Sequence, residues 1–289
     1  MKKILKIVFA VILIIIVVVI LYNVYDNNRI KVVEQTINIK DLPSEFEGFK
    51  ILQISDLHGK RFGDNQDKLV SLINSIDYNI IVITGDMASR HTDDIMPFIE
   101  LLDGITNKDY VFYVQGNVDK EAVNENTNEI TEAGQFLIDK GCKLLCEPYE
   151  IKIGESSLWV SRFIDKNIFY SLTGISEDND NSVKIALTHY PRHEYHFSEE
   201  KNVPDYDLVL AGHYHGGQWR IPFYGAIFVP DAFSDVYLFP NQNEVKGLVT
   251  WGDTNQYVSA GLGANNRFKI LEFRLFNTPE INLLTLSIK

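Results

Sequence analysis

Five buried strand signals in this chain each run into a polar motif, and no other sequence feature restricts the possible folds as strongly. The strand signals are short apolar runs at residues 50–55, 79–84, 110–115, 183–188 and 207–211. The polar residues that follow them are, in chain order, Asp56 and His58, Asp86, Asn117, His189, and His213 and His215. Ligands of open α/β sheets bind beyond the carboxyl ends of the strands, so we expect all five motifs to face one crevice.

The segments between the strands give the fold class. Helical periodicity at residues 65–76, 93–102 and 121–140 alternates with the first three strands. Further strand signals follow at residues 157–161, 226–229, 245–250, 257–259 and 281–287. The alternation predicts βαβ units of an α/β protein, and the strand-rich second half predicts an added or mixed sheet.

The spacing of the polar residues has a chemical interpretation. Residues two apart in an extended segment point the same way, so Asp56 and His58 share a face. The same holds for His213 and His215. Seven candidate ligands are too many for one tetrahedral site, whereas two ions bridged by one carboxylate would use them all. Oxygen and imidazole ligands without a thiolate suit two divalent ions such as Mn, Fe or Zn.

The N-terminus carries an apolar run at residues 4–22, in which the one charge is Lys6. About 20 apolar residues are needed for a membrane-spanning helix. Tyr22 and Tyr25 stand where an interfacial aromatic belt would lie. We therefore predict a signal-anchor transmembrane helix over residues 1–25. The alternative is a cleaved signal peptide, but its apolar stretch would be shorter and would end in a small-residue cleavage site.

Charge predicts how this anchor is oriented. Lys2, Lys3 and Lys6 precede or begin the apolar run, so the positive-inside rule places the N-terminus in the cytoplasm and residues 26–289 outside. The whole chain has a formal net charge of −12, from 27 basic and 39 acidic residues. This acidic balance argues against nucleic acid as a partner, because there is no basic footprint. We expect a single-pass protein of the cell membrane that is held by its helix.

The ordered set of motifs resembles the calcineurin-like metallophosphoesterase superfamily. The anchor and the C-terminal Ser259, Gly261 and Gly263 make the membrane-associated bacterial phosphodiesterase-like branch the most similar one. The resemblance implies a two-sheet αββα sandwich, with residues 26–289 as the metallophosphoesterase domain. It also implies a centre of two divalent metal ions that activate water and clamp the phosphoryl oxygens.

The resemblance also implies a role for each ligand candidate. Asp56, His58 and His215 would bind one ion, and Asn117, His189 and His213 the other. Asp86 would bridge the two ions. Among these, Asp86, Asn117 and His189 are the residues expected to be catalytic.

One position departs from the family pattern. The usual motif is Gly-Asn-His, and Val118 stands where that histidine protonates the leaving group. Loss of a general acid costs about 10²–10⁴ in rate. His91, His193 and His196 are candidate substitutes, although each is also typical of a solvated loop. The candidate phosphate contacts are Asn117, His91, Arg61, Gln218, Arg192 and Arg220.

The sequence is consistent with three functions. The first is a membrane-anchored phosphoesterase that hydrolyses a phosphodiester or pyrophosphate at the cell envelope. Its substrate would be a phosphorylated small molecule, a lipid or another envelope component. The second is a metal-binding interaction module with reduced or lost catalysis, which Val118 favours. The third is a different metallohydrolase reaction on the same site.

Overall fold

Two six-stranded mixed sheets pack face to face in this computed structural model, which describes residues 1–124, 126–175, 181–197, 202–203, 205–230, 237–265 and 269–289. Large apolar side chains from both sheets fill the space between them, among them Ile51 and Val82 from one sheet and Ile185 and Leu210 from the other. Helices cover the outer faces. The αββα sandwich expected from the resemblance is therefore confirmed.

The first sheet carries three of the motif-bearing strands side by side. Its strands, in spatial order, are β1 (Lys31–Ile39), β16 (Glu280–Ile288), β2 (Lys50–Ile54), β3 (Ile80–Ile83), β4 (Val111–Tyr113) and β5 (Lys143–Leu144). From β2 to β5 all neighbours are parallel, and β16 runs antiparallel to β2. The carboxyl ends of β2, β3 and β4 therefore meet at one edge of the sheet.

The second sheet carries the other two motif-bearing strands. Its strands, in spatial order, are β14 (Gly247–Trp251), β15 (Thr254–Val258), β9 (Leu208–Ala211), β8 (Ser182–Leu187), β7 (Ser156–Arg162) and β6 (Tyr149–Ile153). The four central strands are parallel, and each outermost strand is antiparallel to its neighbour. Two short hairpins follow β9, namely β10 (Arg220–Ile221) with β11 (Gly225–Ala226), and β12 (Phe228–Val229) with β13 (Tyr237–Leu238).

The helices form the outer layers and the N-terminal segment. They are α1 (Lys2–Asn27), α2 (Asp67–Asn74), α3 (Met96–Gly104), α4 (Glu132–Asp139), α5 (Lys166–Thr173) and α6 (Gln242–Val245). α2, α3 and α4 bury Leu69, Phe98 and Leu137 in a cluster on the outer face of the first sheet. On the second sheet, Phe169 of α5 packs its ring against Tyr206, with 6.1 Å between ring centroids.

One helix prediction was wrong over half its length. Periodicity predicted a helix over residues 121–140, but α4 begins at Glu132. The side chain of Asn124 accepts from the amides of Asn126 and Thr127, which gives this stretch a turn in place of a helix. Thr131 then caps α4 by accepting from the amide of Gly134 at 3.1 Å.

α1 is long and apolar enough to cross a membrane, and its most apolar window is not buried by the rest of the protein. Its last turns, in contrast, dock on the segment of residues 274–278. The amide group of Asn27 makes two hydrogen bonds with the backbone of Arg274, at 2.7 and 2.8 Å. Asn23 accepts from the amide of Phe276 at 3.0 Å, and Asp26 from the Thr278 hydroxyl at 2.8 Å. The domain is thus fixed to the end of the helix.

This docking predicts unequal effects at two adjacent asparagines. Asn27→Ala removes both hydrogen bonds to Arg274 and should lower the free energy of unfolding by about 1–3 kcal/mol. Asn28→Ala is the matched control, because the Asn28 amide bonds the carbonyl of Val24 within α1. Thermal unfolding of the full chain in one detergent measures both. Equal losses in the two variants would contradict the docking.

Candidate metal centre

The loops after β2, β3, β4, β8 and β9 meet in one crevice between the two sheets. Backbone hydrogen bonds join them, for instance from His58 to the carbonyl of Asp86 at 3.0 Å and from Gly212 to the carbonyl of His189 at 3.1 Å. Five of the seven ligand candidates have a left-handed backbone that residues other than glycine rarely adopt: Asp56, His58, Asp86, His213 and His215, with φ from 49° to 68°. Such strained conformations cluster at functional sites.

The first donor group consists of Asp56, His58, Asp86 and His215, whose candidate ligand atoms all lie within 4.8 Å of one another. The Nε2 atoms of His58 and His215 face each other at 3.2 Å. His58 Nε2 also lies 3.5 Å from Asp86 Oδ2. All four residues are buried, so these donor atoms converge on one point away from bulk water.

The second donor group consists of Asp86, His189 and His213. His189 Nε2 lies 3.4 Å from Asp86 Oδ2 and 3.1 Å from His213 Nδ1. The side-chain oxygen of Asn117 is 3.0 Å from the same His189 nitrogen, which adds a fourth candidate ligand. Asn117 is exposed, and it therefore marks the mouth of the crevice.

Asp86 belongs to both donor groups, which makes its carboxylate the link between them. Oδ1 accepts from the backbone amide of Val118 at 2.8 Å. Oδ2 is buried and has no hydrogen-bond partner among the described residues. A buried carboxylate oxygen without a donor is costly unless something else binds it. Carboxylate and imidazole donors around such an atom fit a divalent cation.

Electrostatics favours the neutral, cation-binding form of His58 and His215, whereas His189 must lose a proton before it can bind a cation. Burial lowers the pKa of His58 to about 4 and that of His215 well below its usual range, so both rings are neutral at pH 7. For His189, burial lowers the pKa, but the carboxylate of Asp86 outweighs it and raises the pKa to about 9. Burial raises the pKa of Asp56 to about 7. Burial and the neighbouring charges thus shift the pKa values of these four residues, and bound cations would shift them again.

Neighbouring groups orient the candidate ligands. His189 Nδ1 lies 2.8 Å from the carbonyl of Thr84 and donates to it, so Nε2 is the nitrogen that would bind a cation in exchange for its proton. The Ser55 hydroxyl donates to Asp56 Oδ2 at 2.6 Å, and the amide of His213 donates to the same oxygen at 3.1 Å. These bonds hold both side chains before any ion binds.

Glycines beside the motifs permit this close packing. A Cβ atom on Gly212 would lie 2.0 Å from the Ser55 hydroxyl oxygen and 2.5 Å from Asp56 Oδ2. A Cβ atom on Gly116 would lie 2.2 Å from Asp86 Oδ1. Any larger residue at these two positions would therefore displace a candidate ligand.

Asp119 holds two of the motif loops together, a role that its position in the motif did not reveal. Its Oδ1 accepts from the amides of Met87 and Ala88, at 2.8 and 2.9 Å. Its Oδ2 accepts from the amide of Gly116 at 2.9 Å and from the Tyr113 hydroxyl at 2.8 Å. The loops after β3 and β4 are thereby fixed to each other.

Arg274 is the other residue that sequence reasoning missed. Its fully buried guanidinium donates to four carbonyl oxygens, those of His215, Ala260, Gly263 and Asn277, at 2.6 to 3.1 Å. Burial lowers the pKa of Arg274 to about 10, so it stays charged at pH 7. A single arginine without a motif gives no sequence signal for such a role.

Several candidate substrate contacts lie outside both donor groups. Arg61 forms an ion pair with Glu100 at 2.9 Å. The Gln218 side chain accepts from the amide of Asn265 at 2.9 Å, so it holds two loops together. His91 lies 3.8 Å from Glu272. Two further histidines in this class, His193 and His196, contact each other, and His193 lies 3.7 Å from Glu244.

Arg192, in contrast, lines a cavity beside the centre. The cavity has a volume of about 380 Å³ and also contacts His189 and Arg162. Arg192 donates to the Thr188 hydroxyl at 3.1 Å, and its Nε has no partner among the described residues. Arg192 thus lies beside the ligand candidate His189, whereas Arg220 donates to the carbonyl of Gly216 at 2.7 Å, next to His215.

Comparisons with known proteins agree with this geometry. A family model described as calcineurin-like phosphoesterase matches residues 49–217, a range that contains all seven ligand candidates. The uncharacterized metallophosphoesterase YkuE of Bacillus subtilis is 30% identical, over 89% of this chain and 86% of its own length. The phosphodiesterase YaeI of Escherichia coli is 25% identical, over 82% of each chain. A transmembrane protein with metallophosphoesterase domain from Danio rerio is 23% identical, over 65% of this chain and 45% of its own length.

Arg274→Met should destabilise the protein strongly, because it removes the guanidinium donors of the buried carbonyl oxygens of Ala260, Gly263 and Asn277. The His215 carbonyl still accepts from the side-chain amide of Asn277. We expect a loss of about 3 kcal/mol or more in the free energy of unfolding. Arg61→Met is the matched control, and a partly exposed ion pair contributes at most about 1 kcal/mol. Denaturant unfolding in detergent compares them. A loss below 1 kcal/mol for Arg274→Met would contradict the assigned role.

Metal binding should stabilise the folded chain. Mn²⁺ at a hundredfold excess over its Kd adds about 2.7 kcal/mol, which corresponds to a rise in Tm of about 5 °C or more. Asp86→Asn should remove most of this rise, because it weakens both donor groups. Asp103→Asn, which changes an exposed partner of Lys140, should keep the rise. If Asp86→Asn responds to Mn²⁺ as the wild type does, Asp86 is not a ligand.

Proposed function

This chain belongs to the calcineurin-like phosphoesterase family, and on that premise we propose that it is a membrane-anchored phosphodiesterase or pyrophosphatase with a centre of two divalent metal ions. The family and the relatives show a metal-dependent phosphoester hydrolase. The observation that carries the finer proposal is Asp86, which stands between two groups of donor atoms with a buried, unpartnered oxygen.

The proposed ligand sets follow the two donor groups. One ion would be held by Asp56, His58 and His215, and the other by Asn117, His189 and His213, with Asp86 shared. Two such ions, when bound, supply Lewis-acid polarisation of the phosphoryl oxygens and a lowered pKa for the attacking water. We expect Mn, Fe or Zn from the donor types.

The protein's own residues orient the substrate. Asn117 directs its side-chain oxygen to His189, so its amide nitrogen is left to donate to a phosphoryl oxygen at the mouth of the crevice. The buried walls around Asp56, Asp86 and His58 keep bulk water from the centre. Asp86 and His189 keep their positions through bonds to Val118 and Thr84. These three contacts supply the fixed geometry that phosphoryl transfer requires.

Val118 favours substrates that need little acid assistance. Its half-buried side chain brings no proton donor to the position of the usual histidine. The missing acid matters least for a good leaving group, such as a phosphate released from a pyrophosphate or an aryl oxide. The name of the relative YaeI supports the diester alternative. A phosphorylated small molecule, a lipid or another envelope component could supply a phosphodiester or pyrophosphate with a good leaving group.

We place the boundary of the domains after residue 25, with residues 1–25 as an uncleaved single-pass anchor and residues 26–289 as the catalytic domain. α1 supports this with an apolar surface that the rest of the protein does not bury. Lys2, Lys3 and Lys6 favour a cytoplasmic N-terminus and an extracytoplasmic domain. The Danio rerio relative, whose name describes a transmembrane protein, supports the same membrane location.

The test is hydrolysis of bis-p-nitrophenyl phosphate by the full chain in detergent, stripped of metal and then supplied with Mn²⁺, Fe²⁺ or Zn²⁺. We expect metal-dependent turnover that Asp86→Ala lowers by about 10³ or more, because both ions lose a ligand. Asp103→Ala is the control and should keep full activity. Turnover without metal, or equal activity in the two variants, would contradict the proposal.

Val118→His tests the alternative of an interaction module. If the missing acid limits the enzyme, this variant should raise kcat by about tenfold or more, within the usual range of acid catalysis. A wild type that binds Mn²⁺ without any turnover, together with activity in Val118→His, would favour a module that has lost catalysis. Val33→His, which changes a half-buried valine of the edge strand β1, controls for a nonspecific effect of the imidazole.

A further inference from the structure

A cavity of about 720 Å³ lies between α1 and the candidate metal centre. Its walls come from α1 and from loops of the catalytic domain. Val19, Ile20 and Val24 of the helix form one wall, and His58, Lys60 and Phe273 lie on the other. Because His58 belongs to the first donor group, the cavity connects the metal centre with the surface of the helix.

The position along the helix relates this cavity to the bilayer. Val19 and Ile20 lie within the apolar run, whereas Asn27 lies at the docked end. A helix rises about 1.5 Å per residue, so Val19 and Asn27 are about 12 Å apart along the axis. The headgroup region of one leaflet is about 5–8 Å thick. The cavity therefore extends from the edge of the hydrocarbon to the headgroup level and beyond.

Lys60 places its amino group in this cavity, whose lining also includes Glu272. Its ammonium group donates to the carbonyl of Asn27, lies 3.5 Å from the carbonyl of Leu262, and stands 4.6 Å from the centre of the Phe62 ring. Within the described part of the chain it forms no ion pair with a carboxylate. An amino group that is held by carbonyl oxygens and has no carboxylate within ion-pair distance can donate a hydrogen bond to an anionic ligand.

The protein surface beside α1 is apolar and aromatic. Phe223 is fully exposed at the tip of the β10–β11 hairpin, with Ile221 and Tyr224 about half exposed beside it. These residues and Phe276 line one shallow depression, and the Phe276 ring lies 5.8 Å from that of Tyr22. Exposed aromatic residues at the end of a membrane helix are typical of the membrane interface.

We propose that this cavity admits the phosphate ester of a membrane lipid directly from the leaflet in which α1 ends. The inference rests on the proposed function, because it names the substrate class of that site. The acyl chains remain against Val19, Ile20 and Val24, while the phosphate passes Lys60 to the centre at His58. In the reaction, the oxygen of water bonds to phosphorus and the bond from phosphorus to one ester oxygen breaks. That oxygen leaves as an alcohol or phosphate after taking up a proton.

The test compares a lipid with its own headgroup as inhibitors of bis-p-nitrophenyl phosphate hydrolysis. The full chain with Mn²⁺ in dodecyl maltoside is titrated with dihexanoylphosphatidylglycerol and, separately, with glycerophosphoglycerol. Both compounds carry the same phosphodiester, so a difference between their inhibition constants measures the contribution of the acyl chains. Burial of several methylene groups should make the lipid compete at least about tenfold more tightly than the headgroup.

Two variants on the same helix show whether that advantage comes from the cavity. Val24 lines it, and Leu21, which is also exposed, lies outside its lining. Val24→Gln should reduce the advantage of the lipid by about fivefold, because the polar amide replaces apolar contact. Leu21→Gln should keep that advantage, and it should hydrolyse the small soluble diester at the wild-type rate in the absence of lipid.

Each outcome supports or overturns the inference. Tighter lipid inhibition that Val24→Gln weakens and Leu21→Gln preserves supports it. Equal inhibition by lipid and headgroup, or equal effects of the two variants, overturns it while leaving the proposed phosphodiesterase intact. Absence of metal-dependent hydrolysis of the soluble diester overturns both the proposed function and the lipid inference.

Discussion

The carboxylate of Asp86 is the constraint on which the rest of the site depends. It must present Oδ2 to two groups of donors while remaining out of contact with water. Its backbone adopts φ 55°, its Oδ1 takes the amide of Val118, and Gly116 leaves room for the approach. Asp119 then joins the loops on both sides. The left-handed backbone and the unpartnered oxygen of Asp86 cost free energy. In return, the candidate ligands are already in position before a ligand binds.

Arg274 connects the C-terminal end of α1 with the candidate metal centre. Its side chain donates to the carbonyl of His215 in the candidate centre, and its backbone makes both hydrogen bonds with Asn27 of α1. The centre and the helix therefore share one anchoring residue. A rigid connection of this kind fixes the distance from α1 to the candidate metal centre, which a flexible linker would not do.

The sequence was sufficient for the parts of the fold that depend on local pattern. The apolar runs of β2, β3 and β4 and their polar ends predicted one crevice, and periodicity located α2 and α3. Residue type and spacing also predicted the seven residues that the structure brings together. The pairing of β16 between β1 and β2 could not be predicted, because it joins residues more than 200 positions apart. The same reason hid Arg274, whose partners are separated in sequence and lie on three loops.

Helical periodicity gave a wrong prediction where a side chain takes the backbone hydrogen bonds that a helix would use. The periodicity at residues 121–140 was consistent with a long helix, yet the Asn124 side chain favours a turn there. Arg61 and Gln218 stay predicted phosphate contacts, and in this structure they bond to Glu100 and to the amide of Asn265. Whether a polar side chain faces a substrate depends on which neighbours reach it first, and that is a property of the packed structure.

Electron paramagnetic resonance of the Mn²⁺-loaded protein, with the metal content of the same sample, tests the shared carboxylate most directly. If Asp86 bridges two ions, the full chain should bind two Mn²⁺ and show the spectrum of an exchange-coupled pair. Two ions with uncoupled spectra, or a single ion per chain, would contradict the account of a bridged centre.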